Sequence, residues 1–123
     1  MPAADILPSE VGSPLAGFRS AGLPLAGLRI EVWGYWTPDL ALAFRRDVPD
    51  LVQKLGMEAS FVLEAAELKP QATEGQEAMR ALFRALSGTS LSKATLKTNN
   101  VLTRMQLTRL VRECGLDARA VFE

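Results

Sequence analysis

The 123-residue sequence predicts an α/β fold, a mixed and largely parallel sheet of about four strands with helices on one face. Three observations lead there. Strand-like runs at 28–34, 59–63 and 94–98 are each followed by a segment with helical apolar spacing. Hydroxyl and amide residues stand where those helices begin, and Gly56, Gly88 and Gly115 stand where they end. Strand–helix–strand connections are right-handed, which keeps successive helices on one face unless the strand order reverses.

Residues 1–27 are rich in Pro, Gly, Ala and Ser and read as an arm or poor edge segment preceding a domain at 28–123. The arm holds a near-repeat, Ser13-Pro14-Leu15-Ala16-Gly17-Phe18-Arg19 and Leu23-Pro24-Leu25-Ala26-Gly27-Leu28-Arg29. In the run 28–34, Leu28, Ile30 and Val32 share one face, and Trp33 with Tyr35 is expected on the other as a contact surface. Thr37-Pro38-Asp39 is a helix start: hydroxyl cap, proline in the first turn, acid near the positive end of the dipole. Leu40, Phe44, Val48, Leu51, Val52 and Leu55 continue that helix, with a kink or break expected at Pro49.

The strand at 59–63 leads into a connection through Pro70. Thr73-x-x-Gln76 then reads as a capping box ahead of a helix whose buried stripe is Met79, Leu82, Phe83 and Leu86. Gly75 lies on that stripe and lets the helix start approach the sheet. After the strand at 94–98, Asn99-Asn100 is turn chemistry, and Thr103-x-x-Gln106 reads as a second capping box, with Leu102 and Leu107 as a staple. Leu107, Leu110, Val111 and Cys114 share a face, which makes Cys114 a core residue rather than a reactive thiol. Val121 and Phe122 are expected to tuck against the sheet.

Composition narrows the chemistry. Hydrophobic residues make up 48% and charged residues 23%, which suits one globular domain. There is no histidine and one cysteine, which removes histidine-based acid/base chemistry, Ser/His/Asp and Cys/His triads, ordinary zinc sites and an internal disulfide. No metal ligands and no cofactor are expected, and no catalytic residue; the chain reads as a non-enzyme. A net charge of zero argues against nucleic acid as a partner. Apolar runs are too short for a membrane span, and the start lacks a signal-peptide pattern, so a cytoplasmic location is expected. Glu58, Glu64, Glu67, Glu74 and Glu77 cluster in the middle of the chain, while Lys93, Lys97, Arg104, Arg109 and Arg112 make its end basic.

From about Leu28 onward the chain resembles a STAS domain, the fold of bacterial anti-sigma factor antagonists. The run Val62-Leu63-Glu64-Ala65-Ala66-Glu67-Leu68-Lys69-Pro70-Gln71-Ala72-Thr73-Glu74-Gly75-Gln76 aligns without a gap to the family pattern V-L-D-L-S-x-V-x-x-I-D-S-S-G-L. Leu110-Val111-Arg112-Glu113-Cys114-Gly115-Leu116 matches its closing helix and Gly-Leu pair. The resemblance implies that Thr73 occupies the position phosphorylated by a kinase-type anti-sigma factor. Ala72 stands where the family has Asp, and Glu74 where it has a second small hydroxyl residue.

Three readings follow. The first is a non-catalytic interaction module of bacterial signalling or scaffolding, binding another protein through Ala72, Thr73, Glu74, Gly75, Glu77, Arg80 and Arg84. The second is an anti-sigma antagonist switched at Thr73. The third is a structural subunit, homo-oligomeric or part of a larger assembly, held by the N-terminal arm with Trp33 and Tyr35.

Overall fold

The computed structural model describes residues 9–123. The elements are β1 (Ser9–Gly12), β2 (Gly17–Leu23), β3 (Gly27–Gly34), α1 (Pro38–Val52), β4 (Phe61–Leu68), α2 (Thr73–Ser87), β5 (Ala94–Thr98), α3 (Val101–Glu113) and β6 (Ala120–Phe122). The fold is α/β, and the six strands lie in sequence order, β1 to β6. The first two pairings are antiparallel and the last three parallel.

The sheet has six strands rather than about four because both ends of the chain join it. The residues expected to form an arm or a poor edge segment supply β1 and β2 from Ser9 onward; residues 1–8 lie outside the description. β2 pairs with β3 along its full length, from Gly17↔Trp33 to Leu23↔Gly27. Its Phe18 is buried and packs edge-on against Phe44 at 5.1 Å between ring centroids, with Trp36 at 5.8 Å. That aromatic cluster needs the arm in place, which is why Pro14 and Pro24 flank the strand instead of preventing it. At the other end, β6 extends the parallel ladder, with Ala94↔Ala120 and Leu96↔Phe122.

β4 begins at Phe61 and runs through Leu68, well past the expected connection point. Phe61, Leu63 and Ala65 point inward, then the phase slips. Glu31 pairs with Glu64 but Trp33 pairs with Glu67, so β4 carries one extra residue, a bulge that restores Leu68 to the core. The expected strand stops at residue 63, short of the slip, because Glu64, Ala65, Ala66 and Glu67 are poor strand formers.

One sheet face, with Leu28, Ile30, Val32, Leu63 and Leu96, is fully buried beneath the helices. The opposite face is solvated and carries one row of charges in register across five strands: Glu10, Arg19, Glu31, Glu64 and Lys97. The like-charged neighbours Glu31 and Glu64 are both engaged by Arg29, at 3.6 and 3.3 Å. The row puts paired charges on the face of this mixed sheet that carries no helices.

The helices obey their local signals unevenly. α1 starts as expected: Leu40 N donates to Thr37 Oγ1. It runs through Pro49 as one helix, because Val48 and Val52 on either side are buried and hold its phase. Neither expected capping box forms. α2 starts at Thr73, with Ala72 at the cap position and no side-chain cap. α3 starts at Val101, capped by Asn100, whose Oδ1 accepts from Thr103 N. Thr103 is instead buried in the helix and donates to Leu68 O at 2.8 Å. Leu102 is 60% exposed, so the expected Leu102–Leu107 staple is absent.

Candidate functional site

The loops β3–α1, β4–α2 and β5–α3 all lie at the carboxyl ends of parallel strands, where α/β sheets hold their binding sites. Gly34 turns the chain out of β3 with φ +81°, and a Cβ there would stand 2.1 Å from Leu15 O in the β1–β2 connection. Only glycine permits that approach.

Gln71 ties the first two of these loops to each other and to α3. It is 6% exposed with every side-chain polar atom bonded. Its Nε2 donates to Gly34 O at 2.9 Å and to Lys69 O at 2.7 Å. Its Oε1 accepts from Trp36 N at 3.1 Å. Its backbone N–H donates to Gln106 Oε1 at 2.8 Å, and its carbonyl accepts from Gln76 Nε2 and Gln106 Nε2. One residue thus joins the end of β3, the start of α2 and the middle of α3. Gln76 and Gln106, each at the fourth position of an expected capping box, reach this residue rather than a cap. The available sequence signal was the spacing of Gln71, Gln76 and Gln106 around two helix starts; their convergence depends on the fold.

Gly75 packs on this hub. A Cβ at Gly75 would meet Gln71 Oε1 at 2.4 Å and Gln71 Cβ at 2.8 Å. Its role is close approach to the amide of Gln71, not to the sheet surface.

Around this fixed point, Ala72, Thr73 and Glu74 are exposed. The first intrahelical bond of α2 runs from Gln76 N to Ala72 O, so the N–H groups of Thr73 and Glu74 precede the ladder. The Thr73 hydroxyl makes no hydrogen bond to any described residue. Glu74 adds a negative charge in the first turn. The arrangement can accept a carbonyl or carboxylate from outside at the positive end of the helix.

The remaining expected site residues divide. Arg80 does not face outward: it is held between Glu77 and Glu113, joining α2 to α3, and both carboxylates push its pKa up. Glu77 is correspondingly engaged. Arg84, one turn on, is exposed. Trp33 is half-buried rather than free; its Nε1 donates to Ser13 O at 2.8 Å, and Arg19 lies 5.2 Å over its ring. It floors a cleft of about 620 Å³ under the β1–β2 connection, rimmed by Arg19, Glu31, Glu67 and Lys69. Tyr35 lies beyond the Gly34 turn, outside the strand, and is 55% exposed. The two aromatics therefore do not form one sheet-face patch.

Among the described residues no group of three or more acidic or cysteine side chains is placed to hold a metal ion. No described helix is long and apolar enough to cross a membrane. The Cys114 thiol is half-buried against Arg80 O, and burial pushes its pKa up despite the opposing pull of Arg84 and Arg80. No family model, curated protein or solved structure matches the chain.

Proposed function

We propose that the chain is a non-catalytic protein–protein interaction module, related to STAS domains and used in bacterial signalling or scaffolding, that binds a partner at the entrance of α2. The observation that carries this reading is the contrast at that entrance. Ala72, Thr73 and Glu74 are exposed with unengaged first-turn N–H groups, while Gln71 immediately before them is buried and fully bonded. A recognition surface whose backbone is already fixed loses little entropy on binding. Recognition draws on Ala72–Glu74 and the exposed Arg84; Arg80 and Glu77 act by holding α2 against α3.

The test is partner recovery from native lysate by the wild-type protein and by Ala72→Arg and Glu74→Lys. Both positions are exposed, so folding is expected to survive, as circular dichroism will check. Recovery is expected to drop roughly ten-fold in both variants, a loss of order 1.4 kcal/mol. Unchanged recovery sinks the reading.

A second reading has its own support: the Thr73 hydroxyl is exposed and unbonded at the helix N-terminus, where a phosphate is electrostatically favoured. Glu74 opposes it, whereas Glu77 is already neutralised by Arg80. Incubation with a kinase-type anti-sigma factor and ATP should then add one phosphate, lost in Thr73→Ala. A structural-subunit role held by the arm has less to rest on, because residues 9–23 are committed to β1 and β2 within the sheet.

A further inference from the structure

α3 presents a second surface that none of the preceding readings uses. Its inner side is committed: Thr103, Leu107, Leu110 and Val111 are buried. Its outer side leaves Val101, Leu102 and Met105 exposed at 76%, 60% and 62%. A shallow, mainly apolar depression of about 510 Å³ runs along this side from Val101 past Met105 and Thr108 to Arg112. Arg104, Arg109 and Arg112 border it. The one acid on that border, Glu113, is already paired with Arg80 and Arg109. Arg112 is exposed and has no ion-pair partner within 4 Å among the described residues.

We infer that this face of α3 docks an acidic amphipathic helix from another protein. Val101 and Met105 lie one turn apart at the head of the depression with Leu102 beside them, and Arg104, Arg109 and Arg112 bring positive charge along it, their aliphatic stems adding to its apolar lining. An acidic partner neutralises that border while its apolar side covers Val101, Leu102 and Met105. A second copy of the chain fits less well. An isologous contact sets this face against its own copy, so a border of three arginines and one already paired glutamate meets a border of the same sign. An anionic membrane fits less well too, since three arginines fall short of the basic clusters that hold peripheral helices on lipid.

The surface excludes residues 72–77, so its test is separate from that of the α2 entrance. Random 16-residue peptides in a display library are selected on the full chain, with counter-selection on the double variant Met105→Asp, Arg112→Glu. Both substituted side chains are exposed, so the fold is expected to hold, and circular dichroism verifies it. The expected result is enrichment of peptides with apolar residues at helical spacing and flanking Asp or Glu. Binding of a synthesised winner should weaken about ten-fold in Arg112→Glu and again at high salt. It should be unchanged in Leu42→Asp, an exposed apolar control on α1, and in Ala72→Arg. Failure to enrich peptides sensitive to the double variant overturns the inference, as does enrichment of sequences without acids. Met105-dependent binding to phosphatidylglycerol vesicles without peptide enrichment, or a dimer in light scattering that Met105→Asp dissolves, assigns the face to lipid or to self-association instead and equally overturns it.

Discussion

Replacing Gln71 by Leu removes the side chain that joins the β3–α1 and β4–α2 loops, at nearly constant volume, and leaves its backbone bonds to Gln106 in place. Three side-chain hydrogen bonds are lost, to Gly34 O, Lys69 O and Trp36 N. Gly34 O still accepts from Lys69 N at 3.2 Å, so the buried Trp36 N–H is the group left without a partner. Leaving that N–H unsatisfied costs about 1–3 kcal/mol, and the two bonds lost to carbonyls cost about 0.5–1.5 kcal/mol each, roughly 2–6 kcal/mol together. Burying the leucine returns about 1–2 kcal/mol of apolar transfer energy. The net destabilisation centres on about 2.5 kcal/mol, a sizeable part of the roughly 5–15 kcal/mol that holds an ordinary domain together. Urea unfolding measures it: at an m-value of about 1–3 kcal/mol/M the midpoint should fall by about 1–2 M with the slope unchanged. Gln71→Glu supplies a pH signature. Its carboxylate would face two carbonyl oxygens, which raises the folded pKa above the unfolded value of about 4.3. Stability is then retained below that pH and lost as pH rises through the folded pKa. A Gln71→Leu protein within about 0.5 kcal/mol of wild type would refute the hub argument.

Further outcomes follow from the same geometry. Gly75→Ala forces a Cβ to within 2.4 Å of Gln71 Oε1 and should cost about 1–3 kcal/mol in urea unfolding, with part of that cost absent in Gln71→Ala, where the blocking amide is gone. Leu25 and Ala26 occupy the tip of the β2–β3 hairpin with φ of 60° and 58°, so the double substitution Leu25→Asn, Ala26→Gly should stabilise the protein by about 1–3 kcal/mol in thermal unfolding. Cys114 should react with a disulfide reagent well below the rate of a free thiol and speed up in denaturant. Its raised pKa means any contribution to stability is present below the unfolded value and fades as pH climbs through the folded one. Glu64→Gln, which frees Lys97 and leaves Arg29 paired with Glu31 on the solvated sheet face, should cost under about 1 kcal/mol and less in high salt.

Much of the fold could be read from the sequence where local signals and burial agree. Thr37-Pro38-Asp39 opened α1 as expected, and the apolar stripe of α2 is buried at Met79, Leu82, Phe83 and Leu86. The strands and helices from β3 to α3 follow the expected alternation. What was missed depends on contacts distant in sequence. β1 and β2 read as no more than an arm or a poor edge segment until Phe18 finds Phe44 and Trp36, and β6, where Val121 and Phe122 were expected only to tuck against the sheet, is three residues long and forms against β5. The second half of β4 is hidden by the poor strand formers Glu64, Ala65, Ala66 and Glu67, across which the bulge shifts the phase. Within the candidate site, the exposure of Thr73 followed from its place at a helix start. The loss of its capping role did not, because Gln76 turns to Gln71 rather than back to the cap. Arg80 looked like a surface cation until α3 brought Glu113 beside it, 33 residues away in sequence.

The central claim is that a partner engages the entrance of α2, and amide hydrogen exchange tests it most directly. The purified partner, once recovered, is added to the full chain and exchange is followed residue by residue. The N–H groups of Thr73 and Glu74 have no intrahelical acceptor and should exchange quickly in the free protein. The account predicts that complex formation slows these two amides at least about ten-fold, by direct bonding or exclusion of water. A complex that forms while both amides keep their free rates, with protection confined to other surfaces, would contradict it.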